Sequence, residues 1–168
     1  INQSALTFLT EFGNAAVLLI ASVIPIYYSR KSFRLISSST LIGILLSMGL
    51  KMLLDIPSPG AILPREEFFV VEPLLTSQSV PSGHAFSLFL FVSCLVVSGM
   101  IKKNYFVLLI FAFSLIAFTR ILVGAHWPMD ILIGASLGFS LPLLLASLAD
   151  RSSKILDTLY SVFFIILL

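Results

Sequence analysis

Residues 81–101 read PSGHAFSLFLFVSCLVVSGMI, a polar tetrapeptide opening a run that contains no charged residue. An apolar stretch of about 20 residues is what a helix needs to cross roughly 30 Å of hydrocarbon, whereas a helix in water would keep a polar face. The tetrapeptide reads as the start of that helix, with Ser82 as N-cap, Gly83 leaving the backbone amides uncovered and His84 in the first turn. Uncovered amides and the positive end of the helix dipole suit an anion such as phosphate, and an imidazole beside them can hand a proton to a leaving oxygen. Taken alone, the same four residues also fit a capped membrane helix whose histidine faces headgroups.

Similar apolar runs recur on both sides. The 168 residues are 58% hydrophobic and 11% charged, a composition that excludes an ordinary soluble domain and predicts an all-α, polytopic transmembrane bundle. Helices are expected at 4–28, 34–55, 83–101, 104–122 and 127–149 as five full spans, with a sixth, partial or truncated helix from about 154. Residues 1–28 lack a basic leader and a small-residue cleavage site, so they read as a span rather than a secretory signal. The chain from 1 to 168 then forms one membrane-embedded domain. Its long connection, 56–82, is broken by Pro57, Pro59, Gly60, Pro64, Pro73 and Pro81 and is expected over a functional site. Cys94 lies inside an apolar run and is expected only to pack. A scattered formal charge of +2 does not point to a nucleic-acid partner.

The basic residues set the orientation. Arg30, Lys31 and Arg34, then Lys102 and Lys103, then Arg151 and Lys154 fall in alternate connections, which places that side in the cytoplasm. Lys51 and Arg120 then end outward-running helices, while His84 and His126 begin inward-running ones. Alternation alone therefore gathers Lys51, Ser82, His84, Arg120, His126 and Asp130 at the extracytoplasmic ends of four helices.

His126 and Asp130 are spaced i, i+4 around a helix start at Pro128, which puts the carboxylate on the same face as the imidazole. A carboxylate so placed fixes the tautomer of a histidine and leaves its second nitrogen free as nucleophile or base. The spacing by itself also fits an aspartate that only caps the first turn. Arg120 offers a planar fork of donors to a phosphoryl group and Lys51 a point charge, with snorkelling to the interface as the alternative for each. Glu11, about two turns into the first helix, could pair with a bundle neighbour, but lies near enough the outer surface to be simply wet.

Together these residues resemble the type-2 phosphatidic acid phosphatase family, which is related to the vanadium haloperoxidases. Its motifs are written K-x-x-x-x-x-x-R-P, P-S-G-H and S-R-x-x-x-x-x-H-x-x-x-D. The second stands unchanged at 81–84; the third matches as Thr119, Arg120, His126 and Asp130, with threonine for serine. The first is half present, Lys51 and Pro59 being correctly spaced with Ser58 at the arginine position.

The resemblance implies a phosphohistidine on His126, oriented by Asp130, with His84 protonating the departing oxygen and no metal or other cofactor. Lys51, Arg120 and the amides of Ser82 and Gly83 would hold the phosphoryl oxygens. The serine at 58 departs from the family and either costs activity or is made good by Arg65, which is expected to fold back in place of the missing arginine. The implied activity is that of a phosphoric monoester or diphosphate hydrolase acting on a lipid in the bilayer, on the extracytoplasmic face of a bacterial inner membrane. Undecaprenyl diphosphate, phosphatidylglycerol phosphate, phosphatidic acid and lipid A are the candidate substrates. A phosphotransferase using the same site, a transporter and a non-catalytic binder of anionic lipids are the alternatives.

Overall fold

A computed structural model describes residues 3–69 and 78–150, together with 158, 162 and 165. It is all-helical: α1 Gln3–Glu11, α2 Ala15–Tyr28, α3 Arg30–Leu54, the short α4 Pro59–Ile62, a 3-10 turn Arg65–Glu67, α5 Gly83–Val97, α6 Lys103–Leu122 and α7 Pro128–Ala149. Three described helical stretches are long and apolar enough to cross a membrane, within Arg30–Ile62, Asn104–Leu122 and Pro128–Ser147, and Ala15–Tyr28 and Gly83–Val97 are shorter apolar helices. On α6, Val107, Leu108, Phe111, Leu115 and Phe118 stay exposed along one stripe, a surface that suits lipid rather than water. The expected sixth helix from 154 lies largely outside the described residues.

One expected helix is two. Residues 4–28 break at 12–14, where Asn14 turns its side chain back to accept the Ala16 amide at 2.9 Å and starts α2. A polar N-cap beside glycine outweighs the apolar average of the run. Ser29 then closes α2 through its amide and opens α3 by accepting the Ser32 amide at 3.1 Å. Helix α5 stops at Val97, four residues before the expected end, because Gly99 takes φ +76°.

Helix α5 is the centre of the bundle. Leu35 and Ile36 of α3 meet Phe86, Leu90 and Cys94 of α5 and Leu141 of α7 in one cluster, while Leu18, Ala85, Leu88 and Ala117 join α2, α5 and α6 in another. The buried Cys94 is part of that packing. Helices α5 and α7 run parallel and touch along their backbones: a Cβ on Gly134 would sit 2.4 Å from the Ser82 carbonyl oxygen, and one on Gly138 2.2 Å from that of Phe86. Small residues allow this approach in a bilayer, where close contact between helices replaces hydrophobic burial. Lys31 at the start of α3 pairs with Asp150 beyond α7 at 3.0 Å, so the basic end lies opposite the starts of α5 and α7.

The long connection is tied down at the other end. Gly60 donates to Gly124 at 2.8 Å, Phe69 to Leu122 at 2.9 Å, the Trp127 indole to Pro57 at 2.9 Å and Ser79 to Ile56 at 2.8 Å. These bonds hold residues 56–69 against the turn between α6 and α7.

Candidate active site

The motif residues meet because four helix ends do. The backbone turns sharply after α6, and the Arg120 carbonyl accepts both the Ala125 amide at 3.0 Å and the His126 amide at 3.2 Å. His126 is thereby drawn back beside Arg120. Helix α7 starts at Pro128, and Asp130 in its first turn gives its carbonyl to the Ser82 amide at 3.0 Å. One backbone bond thus fixes the PSGH segment against the histidine–aspartate pair.

His126 is 2% exposed and Asp130 1%. Oδ2 of Asp130 accepts the Trp127 amide at 2.8 Å and the Ser79 hydroxyl, and it stands 3.6 Å from Nδ1 of His126. That last separation is an electrostatic contact, longer than a hydrogen bond. Two donors on one oxygen suit the ionised carboxylate and fix its plane. Burial holds the His126 imidazole below its ordinary 6.5; the Asp130 carboxylate opposes this, and the charges of Arg120 and Lys51 add to it. The ring is therefore neutral at pH 7, with Nε2 on the side away from the carboxylate.

His84, at the head of α5, lies within electrostatic reach of Arg120 and His126. Lys51, in the last turn of α3, donates to the Gln78 carbonyl and feels the charge of Asp130. Arg120 donates through Nη1 to Thr10 at 3.0 Å. Above Gly83 the space is open, since a Cβ there would meet nothing within 4 Å. The Ser82 hydroxyl caps α5 weakly, 3.4 Å from the Ala85 amide. The Ser82 amide is already committed to Asp130, whereas Gly83 itself is exposed. Among the described residues no group of three or more His, Cys, Asp or Glu side chains could hold a metal.

Two expected contributors differ from the rest. Ser58 is fully buried at the start of α4, with its carbonyl accepting the Ala61 amide at 3.0 Å. Arg65 begins the 3-10 turn, and its side chain lies outside the described residues. Ser79 and the residues of the turn between α1 and α2 were not anticipated from sequence. A lone serine in a loop has no periodicity to reveal it; Gly13-Asn14 inside an apolar run was the available signal.

A cavity of about 420 Å³ begins at Lys51, Gly83 and His84 and runs inward between α2, α3 and α5. Its α3 wall runs from Ile36 through Thr40, Gly43, Ile44, Ser47 and Met48 to Lys51, one helical stripe that ends at the cation. Leu18 and Leu90 are among the apolar residues opposite. The arrangement offers a buried, neutral imidazole beside a carboxylate, with Arg120, Lys51 and His84 within electrostatic reach, and an apolar groove that opens at Lys51, Gly83 and His84.

The chain is 38% identical over 72 residues to an undecaprenyl-diphosphatase of Sulfolobus acidocaldarius, a match covering 42% of this chain and 33% of that protein. The aligned segment thus spans a third of the relative's length. The crystal structure of LpxE from Aquifex aeolicus superposes with a TM-score of 0.72 at 24% identity, covering 84% of this chain and 83% of that one, a likeness of fold. The model of the PAP2 superfamily matches residues 32–154, which include every motif residue above, and the chain belongs to that superfamily.

Proposed function

We propose that the chain is an integral membrane phosphatase that hydrolyses a lipid phosphate or diphosphate through a phosphohistidine on His126, without a metal. One observation carries this reading. Among the described residues, the only buried side-chain nitrogens without a hydrogen-bond partner are His84 Nε2, Arg120 Nε and His126 Nδ1. Each such orphan costs about 1–3 kcal/mol, and three of them within electrostatic reach of one another are accounted for by a ligand rich in acceptor oxygens. A phosphoryl group meets the first two, and a small approach of Asp130 meets the third.

In the first half-reaction Nε2 of His126 attacks phosphorus as the bond to the lipid oxygen breaks, and His84, having taken up a proton as the phosphate group binds, gives it to that oxygen. In the second, a water molecule gives a proton to His84 and its oxygen displaces His126, releasing phosphate and restoring both histidines. Arg120, Lys51 and the Gly83 amide hold the equatorial oxygens, and the Ser82 hydroxyl lies at the same helix start. Phosphoryl transfer asks mainly for such positioning and for positive charge around spreading negative charge.

The apolar groove supports a lipid substrate whose tail lies among α2, α3 and α5 while its phosphate meets His84. The undecaprenyl-diphosphatase relative supports an isoprenoid diphosphate in particular. Basic residues at the Lys31 end support a site on the extracytoplasmic face of a cell membrane.

The test is phosphate release in chelator from a panel of undecaprenyl diphosphate, phosphatidylglycerol phosphate, phosphatidic acid and lipid A, with His126→Ala alongside. Release from at least one lipid that disappears in His126→Ala is expected. Release that requires added metal, or that survives the substitution, contradicts the reading.

A further inference from the structure

Helix α1 ends at Glu11. It turns back at 12–14 directly over two motif side chains. Thr10, 1% exposed, accepts the Arg120 Nη1 hydrogen at 3.0 Å, and its hydroxyl lies 3.1 Å from that of Thr119. Three residues on, buried Gly13 lies against the imidazole of His84: a Cβ there would be 2.9 Å from Cδ2, 3.1 Å from Cβ and 3.3 Å from Cγ.

The turn between them is itself fixed. Gly13 donates to the Thr10 carbonyl at 3.2 Å and Asn14 to that of Glu11 at 2.9 Å, while the Asn14 amide side chain holds the Glu11 carboxylate at 3.1 Å. Glu11 also acts electrostatically on Arg120. Neither contact uses the orphaned nitrogens, so Arg120 Nε and His84 Nε2 stay unspent while the rest of each side chain is held.

We propose that the Thr10–Asn14 turn positions the reacting groups: the Thr10 hydroxyl aims the Arg120 guanidinium, and the bare backbone at Gly13 sets the His84 ring. This rests on the roles given above to Arg120 as phosphate clamp and His84 as acid. The turn does the orienting in advance, so neither side chain has to be ordered when substrate arrives. Glycine is required because any side chain at 13 would displace the imidazole by some tenths of an ångström.

Two readouts separate positioning from mere packing. Thr10→Val keeps the shape and removes the acceptor; orthovanadate inhibition is expected to weaken about tenfold, and Thr10→Ser to restore it to within about twofold. Gly13→Ala disturbs the acid alone. Its rate on an alkyl phosphate should fall about 30-fold and its rate on p-nitrophenyl phosphate less than about threefold, because a good leaving group needs little protonation. Vanadate inhibition of Gly13→Ala should stay at the wild-type level.

Arg120→Ala and His84→Ala serve as controls. If Arg120→Ala keeps vanadate inhibition, or His84→Ala shows no leaving-group dependence, the phosphotransfer roles are wrong and the proposal falls with them. If the controls behave but Thr10→Val and Gly13→Ala match wild type, the proposal alone is overturned. It is equally overturned if both variants lose all substrates alike and Thr10→Ser restores nothing.

Discussion

Replacing Gly134 by alanine tests the seam between α5 and α7 at the point where it carries the site. The added methyl would lie 2.4 Å from the Ser82 carbonyl oxygen, where ordinary contact begins at 3.4 Å, so the two backbones must part by about 1 Å. No flexible side chain is there to give way. Ser82 is bonded to Asp130 across this seam at 3.0 Å, so the movement separates the PSGH segment from the His126–Asp130 pair. Overpacking of this kind costs about 1–3 kcal/mol of stability, and a 1 Å misplacement of reacting groups costs about 100-fold in rate. Gly138→Ala is the matched control. It makes a comparable clash, 2.2 Å from the Phe86 carbonyl oxygen, one turn deeper and away from the histidines. Phosphate release and thermal unfolding in detergent would be measured on both variants. Similar losses of stability are expected, with kcat down about 100-fold for Gly134→Ala and at most about tenfold for Gly138→Ala. Wild-type kcat in Gly134→Ala, or equal losses in the two variants, would refute the reasoning.

The buried environment of His126 lowers its pKa, and the neutral ring is the nucleophile, so activity should fall with acid only as pH drops below its ordinary 6.5. Asp130→Asn removes the carboxylate that opposes the shift; the residual acid limb of kcat/KM should move to still lower pH, and a limb moving upward would contradict the assignment. Ser79→Ala takes one donor from Asp130 and should reduce kcat about tenfold with little change in KM; an effect on KM alone would mean that Ser79 contacts substrate instead. Ser47→Trp fills the groove below Lys51 and should raise KM for long-chain lipid phosphates at least about tenfold. Its effect on p-nitrophenyl phosphate should stay below about threefold, and equal effects on both substrates would remove the groove from tail binding.

The gathering of Lys51, His84, Arg120, His126 and Asp130 was legible because charge and imidazole are costly within apolar runs. Once the basic loops fix alternation, such residues can only collect at one end. The parallel pairing of α5 and α7 was less legible. Gly134 and Gly138 mark a close approach on the sequence, but which carbonyls they meet depends on the packing. The break at Gly13-Asn14 was missed because residues 4–28 are apolar enough on average to read as one span, and an averaged hydropathy is insensitive to a single cap. That miss hid Thr10, Gly13 and Asn14, while of the two readings of Glu11 the bundle partner is the one that fits its electrostatic reach to Arg120. Ser79 was invisible for a different reason: its role is a single contact made across 51 residues of chain.

The central claim is that His126 carries the phosphoryl group between the two halves of the reaction. Rapid alkaline quenching of turnover on phosphorus-labelled lipid, followed by peptide mass spectrometry, tests it directly. The expected result is an acid-labile phosphate on the peptide containing His126, formed at least as fast as turnover and absent in His126→Ala. Sustained turnover with no label on His126, or label on another residue, would contradict the account.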